Sequence, residues 1–255
     1  MRDPVDVVLL ALLGLAVGSF LNVCIYRLPN YRSIVRPASY CTACGRTLRW
    51  FENVPLLGFI ALRGRCRTCG ARISLVYPTV EVVTSVLFVL QYWQLGWQPL
   101  LVVRLVFCSA MVVLFTIDLQ HRILPNVITL PGVAVGLVAA WFVDPGWVNA
   151  VIGATVGGGM LLGVAEVYYR VRGEEGLGIG DVKMLAMIGA FLGWQLMLVT
   201  LLFASVLGSV IGAGMLALGL GDKKYALPLG SFLAISALSA TVAGEPLVHW
   251  YVSLY

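Results

Sequence analysis

Charge is scarce in this sequence. Only 11% of its 255 residues are charged, while 60% are hydrophobic. Soluble domains carry about a quarter charged residues and close to half apolar ones. The shortage excludes an ordinary water-solvated surface and points to a chain that must satisfy lipid. A small-residue cleavage site is also missing after the first apolar run, and the flank before that run is barely positive. The run therefore reads as a retained helix and not as a removed signal peptide. No glycine-rich nucleotide-binding loop is present.

What charge there is has the wrong distribution for nucleic acid. The net charge is +5, from 17 basic and 12 acidic residues. Nine of the 17 basic residues lie between Arg27 and Arg72, and all nine are arginine. They are interleaved with cysteines and turn residues and do not line one helix face. This pattern reads as membrane topology. A lipid bilayer is the expected partner, and no nucleic acid is.

A bilayer core requires about 20 apolar residues per helix. Apolar runs cover 5–26, 76–95, 100–117, 127–143 and 147–169, with a last one at 228–250. The run 182–219 is too long for one span, and Gly193-Trp194-Gln195 is the expected turn inside it. The fold class is an all-α polytopic membrane protein of about eight transmembrane helices with one small polar insertion. The expected organisation is a first helix (1–26), a zinc-binding cytoplasmic segment (27–75) and a transmembrane bundle (76–255). With the N-terminus outside, segments 27–75, 118–126, 170–183 and 220–227 are cytoplasmic and hold fifteen of the 17 basic residues. The inverted topology violates the positive-inside rule. Small-xxx-small pairs such as Gly14/Gly18, Gly132/Gly136, Gly153/Gly157, Gly189/Gly193 and Gly208/Gly212 predict close helix packing within the monomer.

Two C-x2-C pairs stand in the polar segment: Cys41-Thr-Ala-Cys44 and Cys66-Arg-Thr-Cys69, each followed by glycine, Gly45 and Gly70. A tight turn after each pair aims two thiolates at one ion, and four thiolates make a closed, structural zinc site. The alternative is two disulfides, which a reducing cytosol opposes. Arg46, Arg65 and Arg67 flank the pairs and favour thiolates. A segment of this size buries too little apolar surface to fold unaided, so the metal serves as a staple. Cys24 and Cys108 sit in apolar helices and read as core residues.

Ionisable residues inside spans are costly and usually functional. Asp118 ends the third span, in Phe115-Thr-Ile-Asp-Leu119, and Asp181 opens the sixth, in Gly178-Ile-Gly-Asp-Val-Lys183. By the topology above both lie at the cytoplasmic side at one depth. Two close carboxylates share a proton. The ionised one activates water against a peptide carbonyl, and the protonated one serves the leaving group. Gly178 and Gly180 let the backbone approach an extended substrate. The simpler readings are that Asp181 caps a helix and that Asp118 pairs with Arg122. A proton- or cation-coupled transporter uses similar acids, and a non-catalytic scaffold using the zinc segment is a third possibility. Glu81 and Glu166 read as interfacial or paired carboxylates.

These pieces, in this order, resemble the bacterial type IV prepilin peptidases, the GxGD membrane aspartyl proteases. The resemblance covers most of the chain. It rests on Gly18-Ser-Phe-Leu-Asn-Val-Cys-Ile-Tyr-Arg-Leu-Pro29, on both cysteine pairs with Trp50-Phe-Glu-Asn-Val-Pro55 between them, and on Ile73-Ser-Leu-Val-Tyr-Pro78 with Glu81. It continues through Asp118, Leu124-Pro125, the Gly178–Lys183 motif and Pro228-Leu-Gly-Ser-Phe-Leu233. The resemblance implies an inner-membrane endopeptidase that removes the short basic leader of prepilins or type II secretion pseudopilins. Asp118 and Asp181 would be catalytic, supported by Gly178, Gly180 and Lys183. It also implies N-methylation of the new amino terminus from S-adenosylmethionine, an activity that accompanies the cysteine-rich segment. Glu52 and Asn53 are the candidates for methyl-donor binding. Three departures from the family pattern are Thr42 in place of proline, Asn126 in place of aspartate, and Leu229-Gly-Ser231 in place of Phe-Gly-Pro.

Overall fold

The computed structural model of the chain describes residues 3–174, 176–219 and 228–253. The basic segment expected at 220–227 lies outside the described residues. Helices dominate: α1 (Pro4–Arg27), α2 (Leu57–Ala61), α3 (Val76–Leu95), α4 (Pro99–His121), α5 (Asn126–Ala139), α6 (Trp147–Arg172), α7 (Ile179–Ala217) and α8 (Leu229–Val252). Two short 3-10 turns, Leu28–Asn30 and Trp50–Asn53, and two isolated bridges complete the regular structure among the described residues.

Among the described residues, four helices are long and apolar enough to cross a membrane: the first helix with its 3-10 extension, α4, α6 and α7. This is a membrane protein. At 39 residues α7 is about 58 Å long at 1.5 Å per residue, roughly twice a bilayer core. The break expected near Gly193 is present. Gly193 has φ 77° and ψ 172°, a conformation that interrupts the helix and that side chains resist. A Cβ there would also meet Pro145 at 2.9 Å. Counting the break, the described residues hold nine helices where the apolar pattern predicts eight. The extra one is α2, five residues inside the polar segment and too short for periodicity to reveal. Helix α5 ends at Ala139 and not near 143, because Trp141 and Phe142 turn back onto Val138 and Ala139 carbonyls. Trp141 then stacks on Trp147, ring centroids 5.1 Å apart.

The chain divides into two compact units, Met1–Leu101 and Val102–Tyr255. In the first, α1 lies against α3 at glycine contact. A Cβ at Gly18 would stand 2.7 Å from the Glu81 Cα. The Ser85 hydroxyl donates to the Ala11 carbonyl at 2.9 Å, and the Asn22 amide donates to the Tyr77 carbonyl at 3.0 Å. Small residues and interhelical hydrogen bonds replace the hydrophobic driving force that lipid removes. Tyr92 and Trp97 donate to the Asp6 carboxylate at the far end of the pair.

In the second unit α7 is the central element, packed by α5, α6 and α8. Gly153 of α6 meets Gly189 of α7 backbone to backbone, and Gly132 and Gly136 of α5 accept Met187 and Phe191. Phe107, Met111, Leu114, Met184, Met187, Ile188 and Leu233 are fully buried there. Gly14, Gly18, Gly132, Gly136, Gly153, Gly157 and Gly189 thus serve packing inside the monomer.

Candidate functional site

The cysteine segment folds as two similar knuckles. In the first, Cys41 N–H donates to the Arg46 carbonyl and Gly45 N–H to the Cys41 carbonyl. In the second, Cys66 N–H donates to Ala71 and Gly70 N–H to Cys66. Gly45 and Gly70 both take φ 71°, the left-handed turn that glycine makes without strain. The four cysteines are free thiols, and their sulfurs all lie within 4.8 Å of one another, with Cys41 Sγ and Cys69 Sγ 3.9 Å apart. Zinc bound by four thiolates at about 2.3 Å places sulfurs about 3.8 Å apart, so the cluster fits a structural metal. Backbone N–H groups of Cys69 and Thr68 bring the Cys66 thiol down to about 6, toward the thiolate that binds metal.

Glu52 locks this segment together. Its Oε1 accepts from Arg46 at 2.8 Å and its Oε2 from the Arg49 N–H at 2.8 Å. These donors hold its carboxyl below the usual carboxylate range. The Glu52 side chain is buried, with 1% of its surface exposed, and Asn53 beside it is exposed. Both line a half-open cavity of about 400 Å³ within the first unit.

The two candidate aspartates belong to the second unit. Asp118 stands in the last turn of α4, and Asp181 in the first turn of α7. The structure brings them together closely enough for the charge of Asp118 to act on Asp181. Leu124 lies between their supporting glycines: a Cβ at Gly180 or at Gly230 would meet the Leu124 side chain at 3.0 Å. The Asp118 carboxyl lies over Gly230 and the Asp181 carboxyl over Gly178, so bulk at either glycine would press on the carboxyl beside it. Asp118 is 5% exposed.

Ser231, at the start of α8, holds Asp118. Its backbone N–H and its hydroxyl donate to the same oxygen, Asp118 Oδ2, at 2.6 and 2.8 Å. Sequence reasoning marks Ser231 only as a departure from a family pattern. A serine 113 positions away in an apolar span carries no local signal of such a contact. Lys183 donates to the Asn126 side-chain carbonyl at 2.9 Å, tying the motif around Asp181 to the start of α5. Glu166 pairs with Arg170 on an exposed helix face. Glu81 instead turns inward: it is buried, lines the cavity of the first unit and accepts from the Leu56 N–H at 2.9 Å.

Comparison with known proteins agrees with this division. The model of the bacterial peptidase A24 N-terminal domain matches residues 12–95, and that of the type IV leader peptidase family matches residues 105–213. A prepilin leader peptidase/N-methyltransferase of Myxococcus xanthus is 47% identical over 214 residues, 84% of this chain and 64% of that protein. One of Pseudomonas putida is 38% identical, covering 96% of this chain and 93% of the relative. One of Pseudomonas aeruginosa is 35% identical, covering 94% and 91%. No solved structure matches the chain.

Proposed function

Because the chain belongs to the type IV leader peptidase family, we propose that Asp118 and Asp181 are the carboxylate pair with which it cuts prepilin leaders. The observation that carries this reading is the convergence of the last turn of α4 and the first turn of α7 around Leu124, which sets two carboxylates within electrostatic reach in a mostly apolar bundle. One proton shared between them leaves one carboxylate to take a proton from the attacking water. The other donates to the developing oxyanion and then to the leaving amine. Gly178 and Gly180 admit the extended substrate backbone, and Lys183 fixes the motif through Asn126.

The substrates are prepilins or type II secretion pseudopilins, whose basic leader lies in the cytosol ahead of a hydrophobic helix. The enzyme sits in the bacterial inner membrane with the cysteine segment and the aspartates toward the cytoplasm. Fifteen of 17 basic residues support that orientation. The metal at Cys41, Cys44, Cys66 and Cys69 is zinc, in a closed structural site. The methyl donor is S-adenosylmethionine, and Glu52 and Asn53 belong to the cavity wall that receives it, Glu52 through its hold on Arg46. Neither a coupled transporter nor a non-catalytic scaffold gains an observation from this architecture. Leader removal from a purified prepilin is the test: wild type cuts, and Asp118→Asn or Asp181→Asn leaves the substrate whole.

A further inference from the structure

The cavity of the first unit contains a carboxylate that the leader-cleaving pair does not use. Glu81 is 7% exposed, and no ion pair reaches it among the described residues. Four arginines share the cavity wall, and none of them is paired with Glu81. Arg46 is paired with Glu52, Arg27 donates to the Ser33 and Pro37 carbonyls, Arg67 lies over the Phe51 ring at 5.9 Å, and Arg72 is solvent-exposed. Buried carboxylates are normally paired, so an unpaired one in a cavity wall favours a cation brought by a ligand.

Two features show that the carboxylate is held in place. Leu56, which donates its N–H to Glu81, has φ 56° and ψ −48°, a strained backbone for a branched residue. The backbone beside it is fixed too, since Gly18 of α1 packs on the Glu81 Cα. Aromatic side chains share the wall: Tyr26, Tyr40 and Tyr77 all line the cavity. Aromatic rings and a carboxylate in one cavity suit a soft cation such as a sulfonium. A volume of about 400 Å³ accommodates a nucleoside-sized molecule.

We propose that this cavity is the chamber for N-methylation and that Glu81 accepts the proton of the substrate's new terminal ammonium. This rests on the methyltransferase reading given above. The methyl donor supplies an electrophilic carbon on a sulfonium. The terminal ammonium, with an ordinary pKa of about 8, gives one proton to Glu81 and exposes its lone pair. That lone pair forms the N–C bond while the S–C bond breaks, and the electron pair of the broken bond stays on sulfur as a neutral thioether. The methylated nitrogen leaves as an ammonium, and Glu81 returns its proton to water.

The experiment uses full-length detergent-solubilised protein and two variants, Val54→Trp, at a residue that lines the cavity, to fill it, and Glu81→Gln to remove the acceptor. Calorimetry measures binding of S-adenosylhomocysteine, mass spectrometry reads the amino terminus of a leader-free pilin peptide, and leader cleavage is followed separately. Val54→Trp is expected to weaken binding about tenfold or more with leader cleavage retained. Glu81→Gln is expected to bind the probe nearly as wild type and to methylate about a hundredfold more slowly near neutral pH. Above about pH 9, where the amine is already free, its methylation should recover most of that loss. A purely structural role for Glu81 does not give that recovery. Wild-type binding by Val54→Trp, or a Glu81→Gln rate that is normal at neutral pH or equally slow at both, overturns the proposal while methylation by wild type still stands. A wild type that neither binds the probe nor methylates overturns the methyltransferase reading together with it.

Discussion

Ser231 gives both of its hydrogen-bond donors to one oxygen of Asp118, the N–H at 2.6 Å and the hydroxyl at 2.8 Å. The contact joins the first turn of α8 to the last turn of α4 and fixes the direction in which the Asp118 carboxyl presents its other oxygen. Removing the hydroxyl with Ser231→Ala leaves the N–H bond in place. A hydrogen bond to a charged group contributes about 1.5–3 kcal/mol, much of which the remaining donor retains. Turnover in leader cleavage is therefore expected to fall about three- to tenfold with KM nearly unchanged. Steady-state kinetics check this, and Ser231→Thr should restore most of the loss.

The metal staple carries a second prediction. Cys41→Ser with Cys44→Ser removes half the ligand set, and chelation removes the ion. Either should release residues 27–75 to rapid proteolysis while the apolar helices stay inserted, since binding and folding of such a segment are one equilibrium. Limited proteolysis before and after chelation, with metal content read in parallel, measures it. Unchanged cleavage would mean the segment folds without metal.

Acid should act on the same segment through Glu52. Its folded carboxyl is held below the usual carboxylate range by Arg46 and the Arg49 N–H. A lowered carboxyl stabilises the fold above its unfolded value, about 4.3, and that contribution is lost as pH falls through the lower folded value. Glu52→Gln should therefore loosen the segment at neutral pH and make its protease sensitivity less dependent on pH in the acid range. The pH profile of proteolysis, wild type against variant, reads the difference.

Glycine contacts between helices give a pair of opposite expectations. Gly189 touches the Gly153 backbone, whereas a Cβ at Gly159 has nothing within 4 Å. Gly189→Leu should destabilise the second unit by several kcal/mol, through clashes that a packed interior cannot absorb. Gly159→Leu should be close to neutral. Thermal unfolding in detergent distinguishes them.

Much of this was legible in the residues. Apolar runs revealed the long helices because each must span lipid, and Gly193 marked the break in α7 because the run was too long for one bilayer. The cysteine knuckles were visible because metal ligands recur at fixed spacing and each knuckle ends in a left-handed glycine. Asp118 and Asp181 stood out because charge inside a span is rare. What stayed hidden depends on contacts between distant segments. Nothing near Ser231 announces Asp118, and nothing near Glu81 announces a cavity lined by a strained Leu56. Glu81 reads as an interfacial acid from its place near a span end, and only tertiary packing shows it buried and turned inward. The five-residue helix α2 escaped for a different reason: it is shorter than the window in which periodicity can be seen.

The central claim is that Asp118 and Asp181 act as one unit in peptide hydrolysis. Its most direct test is the single-turnover rate of leader removal from a purified prepilin by wild type, Asp118→Asn and Asp181→Asn. Methylation of a leader-free pilin peptide by each variant serves as the control for folding. A loss of at least about a thousandfold in each single variant, with methylation retained, is the expected result. Cleavage near the wild-type rate by either variant would contradict the account and make that carboxylate structural.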